Sequence, residues 1–179
     1  VVSSDEDGID RLELYVNNTL TLTDDTEPYS FQWNTNSLPN GTYTIFVRSY
    51  DKNGNTADSP VNAVFVDKVI ELWGQSFSSQ FTTEINFRGA GVSGEIPSTI
   101  GDFVALTSLD LHGNNLTGSI PPEIGNLSTL TYFNVEFNQL SGSIPSEIGN
   151  LVYVRELGMN DNQLSGSIPP EIGNVGSLT

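Results

Sequence analysis

The 179-residue chain has no cysteine, a single histidine (His112), a single methionine, and only six lysines and arginines together. Each shortage removes a class of function. Without cysteine there is no disulfide framework, no thiolate metal site and no thiol nucleophile. With His112 alone, no Ser/His/Asp relay and no metal-ligand spacing can be assembled around it, so the chain reads as non-enzymatic. Against the six cations stand 22 aspartates and glutamates, a net charge of −16. The acids are shared evenly, eleven with four bases through Lys68 and eleven with two bases after it. Such a surface repels nucleic acid and anionic membranes, and neither is expected as a partner. No apolar run reaches the roughly 20 residues that span a bilayer, so no direct membrane insertion of this stretch is expected.

What the chain has instead is repetition. "LTSLDLHGNNLTGSIPPEIGNLST" (106–129), "LTYFNVEFNQLSGSIPSEIGNLVY" (130–153) and "VRELGMNDNQLSGSIPPEIGNVGS" (154–177) are three copies of one frame. A fixed period of this size marks stacked supersecondary units that cannot bury their apolar faces alone. Leu106, Leu109, Leu111, Leu116, Ile120, Ile124 and Leu127 recur as Leu130, Phe133, Val135, Leu140, Ile144, Ile148 and Leu151, and again as Val154, Leu157, Met159, Leu164, Ile168, Ile172 and Val175. These seven sites per copy are the expected core, each contributing about 1.5–3 kcal/mol when fully buried. "TTEINFRGAGVSGEIPSTIGDFVA" (82–105) is a weaker first copy, with Ala90 in its asparagine slot.

Asn114, Asn138 and Asn162 follow the alternating strand residues, where the chain turns off a strand. A column of amides, each with two donors and an acceptor, is expected there to bond the turn's own backbone and that of the next coil. Pro121, Pro145 and Pro169, with Glu123, Glu147 and Glu171 close behind, suit the start of a short helical turn and the positive end of its dipole.

The frame L-x-x-L-x-L-x-x-N-x-L-x-G-x-I-P-x-x-I-G-x-L-x-x resembles the leucine-rich repeat of the 24-residue plant-type class, over about residues 82–179. The resemblance implies a solenoid with a parallel sheet on its concave side, loops and short 3-10 or α turns elsewhere, and a binding scaffold as its usual use. The cysteine-paired caps common in secreted eukaryotic relatives are missing from this stretch.

Residues 1–67 follow a different period. Leu12, Leu14 and Val16, then Tyr29, Phe31 and Trp33, then Tyr43, Ile45 and Val47 alternate with polar residues, and Val61, Val64 and Val66 follow a turn at Asp51–Asn55. That is the signal of half-buried strands in a small antiparallel sandwich, with Trp33 on the core side of its own strand. The segments Leu12–Asn18, Pro28–Thr35, Asn40–Ile45 and Asp51–Asn55 resemble, in order, those of a bacterial immunoglobulin-like domain. The fold class expected is therefore an all-β immunoglobulin-like sandwich over 1–67, a linker and solenoid cap over 68–81, and leucine-rich repeats over 82–179. Both ends read as cut, the first lacking strands and the last stopping inside a further repeat. An acidic, lysine-poor chain joined to such a domain reads as a bacterial secreted or cell-surface protein.

Variation between copies concentrates on the outward strand positions. These form columns: Glu84, Ser108, Tyr132, Glu156; Asn86, Asp110, Asn134, Gly158; and Arg88, His112, Glu136, Asn160. With parallel strands about 4.8 Å apart, they make one patch. The expected ligand-binding residues on the concave face are Asp110, His112, Tyr132, Asn134, Glu136 and Glu156, and a protein or glycan is the expected ligand. Tyr132 and Phe137 are the large exceptions among small polar neighbours and are suited to anchoring a partner or stacking on a sugar. The alternative function is a structural one, with chains self-associating end to end into a filament or surface layer. No metal site is assigned. Calcium is the one candidate cofactor, offered oxygen ligands by Asp5-Glu6-Asp7, Asp24-Asp25 and the Asp51–Asn55 turn, whose glycine falls in the wrong position for a calcium loop.

Overall fold

In the computed structural model, which describes residues 8–176, the chain divides between Lys68 and Val69 into two compact units. The first unit is one antiparallel sheet. β1 (Ile9–Val16) turns through Asn17 and Asn18, both with positive φ, into β2 (Thr19–Asp24), the tight hairpin geometry that asparagine tolerates. β3 (Gly41–Asp51) pairs with β1, with β4 (Thr56–Asp58) and with β5 (Asn62–Val66). The strand order is β2-β1-β3-β4, with β5 also on β3.

The expected sandwich is thus a single five-stranded sheet among the described residues. The Pro28–Thr35 stretch is extended but joins no ladder. Within it the Ser30 N–H donates to the Asp24 side chain and Pro28 has no N–H to give, and just beyond it the Asn36 N–H donates to the Asn34 side chain. Its alternation survives the loss of pairing. Tyr29, Phe31 and Trp33 are half-buried while Ser30, Gln32 and Asn34 are exposed, and Trp33 meets Tyr43 edge-on at 5.6 Å. Tyr43 shares its face of β3 with Ile45 and Val47, which register against Val16 and Leu14, so Trp33 lies over the apolar side. Val61, expected to be buried with Val64 and Val66, precedes β5 and is exposed.

The opposite face of β1 and β3 is polar and aromatic. Tyr15 stacks on Phe46 at 4.8 Å, and the Arg11 guanidinium lies 3.6 Å over Tyr50. Arg48 grips Asp58 through two hydrogen bonds of 2.6 and 2.8 Å. At the centre, the carboxylate of buried Glu13 accepts from Tyr15 at 2.8 Å, Tyr50 at 3.0 Å and Arg11 at 3.1 Å. Burial works to raise the Glu13 pKa, but these three donors outweigh it and hold the carboxyl below its ordinary range. The same bond to Glu13, with burial second, pushes the Tyr15 phenol up to about 12.

The signs of the two shifts are opposite. Glu13's contribution is present above the ordinary carboxylate range and is lost as pH falls through its lowered native pKa. Tyr15's is present below about pH 10 and is lost as pH rises through about 12. Replacing Glu13 with Gln should therefore flatten the acid limb of this unit's stability profile and bring the Tyr15 phenol back toward about 10. Phenolate absorbance of the wild type minus that of Tyr15→Phe reads the second effect, and an unmoved Tyr15 titration in Glu13→Gln would refute the assignment.

The second unit begins with a hairpin, β6 (Val69–Leu72) and β7 (Gln75–Ser78), closed by Trp73 and Gly74 at positive φ. Ile70 and Leu72 are buried, and Trp73 and Phe77 pack edge-on against Phe87 of the first coil at 5.2 and 6.0 Å. The hairpin thereby covers the first coil's apolar face. Four coils follow, each carrying a three-residue strand: β8 (Glu84–Asn86), β10 (Ser108–Asp110), β12 (Tyr132–Asn134) and β14 (Glu156–Gly158), in one parallel sheet. Two further parallel pairs form beside it, β9 (Ser93–Glu95) with β11 (Asn115–Thr117) and β13 (Ser141–Gly142) with β15 (Gln163–Leu164). Each coil returns through a 3-10 turn, Ser98–Asp102, Pro122–Asn126, Ser146–Asn150 and Pro170–Asn174, entered from an extended proline.

The leucine positions of the first two full copies fill one continuous core, with Leu109, Leu111, Phe133 and Val135 fully buried. Burial then thins along the stack. Ile120 is buried, Ile144 half-buried and Ile168, expected in the core, 69% exposed. No coil follows that of Ile168 among the described residues.

Candidate functional site

Each strand of the parallel sheet turns its middle residue inward, Ile85, Leu109 and Phe133 buried and Leu157 half-buried, and its two flanking residues to the opposite face. Register aligns Glu84, Ser108, Tyr132 and Glu156 in one row and Asn86, Asp110, Asn134 and Gly158 in the next. A third row follows the strands. There the Gly89 N–H donates to the His112 carbonyl and the Gly113 N–H to that of Glu136, each at 2.9 Å.

The middle row is not free to meet a ligand. The side-chain Oδ1 atoms of Asn86, Asp110 and Asn134 accept from the backbone N–H two residues on, at 3.0, 3.1 and 2.9 Å. Asp110 also faces the Arg88 guanidinium at 3.4 Å and is only 8% exposed. It shapes the turn and the local charge and offers little contact surface. The row breaks at Gly158, where a β-carbon would stand 2.9 Å from Cγ and Cδ of Glu136. The Glu136 side chain lies across that gap, held by Asn134 Nδ2 at 3.3 Å. The outcome is a depression of about 330 Å³ bordered by Tyr132, Asn134, Glu136, Glu156 and Gly158. Four of the six expected binding residues meet there, while Asp110 and His112 sit one coil away.

His112 is half-buried between Glu136 and Phe137. Its Nδ1 makes no hydrogen bond and lies 3.5 Å from Glu136 Oε2, and its ring meets that of Phe137 edge-on at 5.1 Å. Phe137, outside the six expected binding residues, lies directly against one of them. The two preceding coils place Gly89 and Gly113 in this slot, with φ of 63° and 70°, and Phe137 holds the same left-handed backbone at 54°. A bulky side chain in that region is strained by about 1–3 kcal/mol, and here it leaves its ring 52% exposed. The signal was present in the sequence as an aromatic in a glycine slot.

The asparagines behind the site reach backward and not to the following coil as expected. Asn138 Oδ1 accepts from the Leu116 N–H at 3.0 Å, and its Nδ2 donates to the Leu111 carbonyl at 2.9 Å, both in the preceding coil. Asn114 does the same with Val92 and Phe87, and Asn162 with Leu140 and Val135. The amide also bonds its own turn, so each asparagine ties the end of one strand to the coil laid down before it.

The Asp51 carboxylate is occupied by its own turn, accepting from the Asn53 and Asn55 N–H groups at 2.8 Å and from Asn55 Nδ2 at 2.6 Å. Asp24 likewise accepts from Thr26 and Ser30. Asp5-Glu6-Asp7 lies outside the described residues. Among the described residues no three histidines, aspartates or glutamates converge, and no helix is long and apolar enough to cross a membrane.

The Leucine Rich Repeat family matches residues 105–127, 129–151 and 153–175, and the Bacterial Ig domain family matches residues 1–47. No curated protein sequence matches the chain. The BIR2 ectodomain from Arabidopsis thaliana is similar at 32% identity and a TM-score of 0.51, over 64% of this chain and 58% of its own. The Arabidopsis receptor kinase HAESA, solved with the peptide hormone IDA and the co-receptor SERK1, shares 42% identity at a TM-score of 0.47, over 48% of this chain and 15% of its own. The plant peptide hormone receptor RGFR1, solved with RGF2, shares 32% identity at a TM-score of 0.47, over 48% of this chain and 14% of its own. The chain thus spans about a seventh of the length of those two receptors.

Proposed function

We propose that this chain, a leucine-rich repeat solenoid behind a stretch that matches the bacterial Ig domain, is a non-catalytic binding module that works outside the cell. The first unit acts as a spacer, and the outward face of the parallel sheet takes a protein or peptide segment. The observation that carries this reading is Phe137, a strained, exposed aromatic ring beside a depression bordered by Tyr132, Glu136 and Glu156. Backbone strain at an exposed residue contributes nothing to the core, and aromatic anchors beside small pockets are where binding energy concentrates.

Charge sets the partner's character. Glu136 and Glu156 border the depression and Arg88 is turned to Asp110, so the complementary segment is cationic. Its association should slow as salt rises. The test is a phage-displayed peptide library selected on the full chain. Selected peptides should be rich in lysine and arginine, and Phe137→Gly, Tyr132→Ala and Glu136→Lys/Glu156→Lys should each weaken them tenfold or more, about 1.4 kcal/mol.

Phe137→Gly should do this with little change in stability. Relief of about 1–3 kcal/mol of strain is offset by a more flexible unfolded chain, at about 0.4–1 kcal/mol, and by the lost contact with His112. Peptides that bind all these variants equally, yet are lost on Glu123→Lys and Glu147→Lys in the 3-10 turns, would place the site elsewhere.

A further inference from the structure

A second groove flanks the start of the strands, lined by Thr107, Thr129, Thr131, Val152, Tyr153 and Arg155 and enclosing about 450 Å³. It is distinct from the sheet-face depression, sharing none of its residues. The volume is in the range of small-ligand sites.

Its chemistry is unusual for this chain. The unit after Lys68 has eleven acids and two cations, yet no acid lines this groove, and one of the two cations does. Arg88 is committed to Asp110, whereas Arg155 makes no ion pair among the described residues. Beside it the Tyr153 ring is 65% exposed.

The threonines form a ladder. Thr107 Oγ1 donates to the Thr83 carbonyl and Thr131 Oγ1 to that of Thr107, each at 2.9 Å, and Thr129 Oγ1 donates to Leu106 at 2.8 Å. A hydroxyl whose proton is engaged this way keeps its lone pairs for an incoming donor. The carbonyls of Thr83 and Thr107 also receive the backbone N–H of Thr107 and Thr131, and that of Thr131 receives the Arg155 N–H, each at 2.8 Å. These carbonyls are already engaged and are not left for an extended peptide to pair with.

We infer that this groove is a saccharide-binding site for a neutral glycan. Tyr153 stacks on the apolar C–H face of a pyranose ring, the threonine oxygens accept from its hydroxyls, and Arg155 donates to its ring or hydroxyl oxygens. The net charge of −16 keeps polyanionic glycans away. This site is independent of the sheet-face reading and does not require it.

Saturation-transfer difference NMR on the full chain, with cellohexaose, laminarihexaose and maltohexaose as neutral probes and hexagalacturonate as the acidic comparator, tests the inference. At roughly millimolar concentration at least one neutral probe should bind. Its affinity should fall tenfold or more in Tyr153→Ala and in Arg155→Ala, stay within twofold in Tyr153→Phe, and be unchanged in Phe137→Gly. Tyr153 and Arg155 are exposed, so these variants should fold. Binding of none of the neutral probes, preference for hexagalacturonate, or neutral binding indifferent to Tyr153 would each overturn the site. Loss of neutral binding in Phe137→Gly would move it to the sheet face.

Discussion

Gly125→Ala is expected to destabilise the repeat unit by about 3 kcal/mol, and Gly173→Ala to leave it unchanged within about 0.5 kcal/mol. Both glycines occupy the same slot of the 24-residue frame, within the 3-10 turn of their coil. A β-carbon on Gly125 would lie 2.5 Å from the Glu147 carbonyl oxygen and 2.7 Å from the Glu147 β-carbon. These are backbone and near-backbone atoms of the next coil, so no rotamer change relieves the clash. The coil itself must move, and with it the packing of Ile124, Leu127 and Ile148. Gly149 meets Glu171 the same way, and Gly101 meets Glu123. At Gly173 nothing lies within 4 Å of the added carbon. Chemical denaturation compares the two, with equal slopes confirming that the midpoint shift reports stability. Coincident midpoints would show that the 3-10 turns can separate without cost, against the close stacking described here.

This pair marks a limit of reading the sequence. A glycine recurring in one slot signals either a left-handed backbone or a close neighbour, and the letters are the same for both. Gly118, Gly142 and Gly166 are of the first kind, with φ between 76° and 83°, whereas Gly101, Gly125 and Gly149 are absent from the positive-φ glycines and are of the second. The repeat itself was legible because apolar residues recurred at a fixed period, which translates directly into parallel strands and a shared core. What the period could not show was how burial decays along the stack. Ile120, Ile144 and Ile168 are identical letters in identical frames, yet one is buried, one half-buried and one exposed according to where its coil stands in the stack.

In the first unit, alternation of Tyr29, Phe31 and Trp33 correctly reported which side of the chain is half-buried. It did not report pairing: alternation marks which side faces the core, whereas a ladder also needs a partner strand in register, and this stretch instead bonds locally at Ser30 and ends at the Asn34–Asn36 turn. At the candidate site, the outward columns followed from the strand period, but the turn-capping role of Asp110 and Asn134 did not. A carboxylate or amide two residues before an N–H looks the same in sequence whether it faces solvent or folds back. The depression at Gly158 depended on that distinction too, since it is where the capping residue is missing and Glu136 lies down in its place.

Asn138→Ala should cost the repeat unit about 2–5 kcal/mol, and Gln139→Ala less than about 0.5 kcal/mol, although the residues are neighbours of similar chemistry. Asn138 is 8% exposed and Gln139 faces solvent. Removing the amide takes the side-chain acceptor from the Leu116 N–H and the side-chain donor from the carbonyls of Leu111 and Val135, in a region sealed by Leu111, Val135 and Leu140. Water cannot replace them there without opening the stack, so the desolvation penalty of each unpaired group stands. Asn138→Asp sharpens the test. It keeps an acceptor for Leu116 but sets a carboxylate oxygen against the Leu111 and Val135 carbonyls, so it should be at least as damaging as alanine near neutral pH. Denaturation midpoints should therefore fall in the order Gln139→Ala, Asn138→Ala, Asn138→Asp. If Asn138→Asp were as stable as wild type at neutral pH, the two donated bonds would contribute nothing, and the tie between successive coils would rest on the leucines alone.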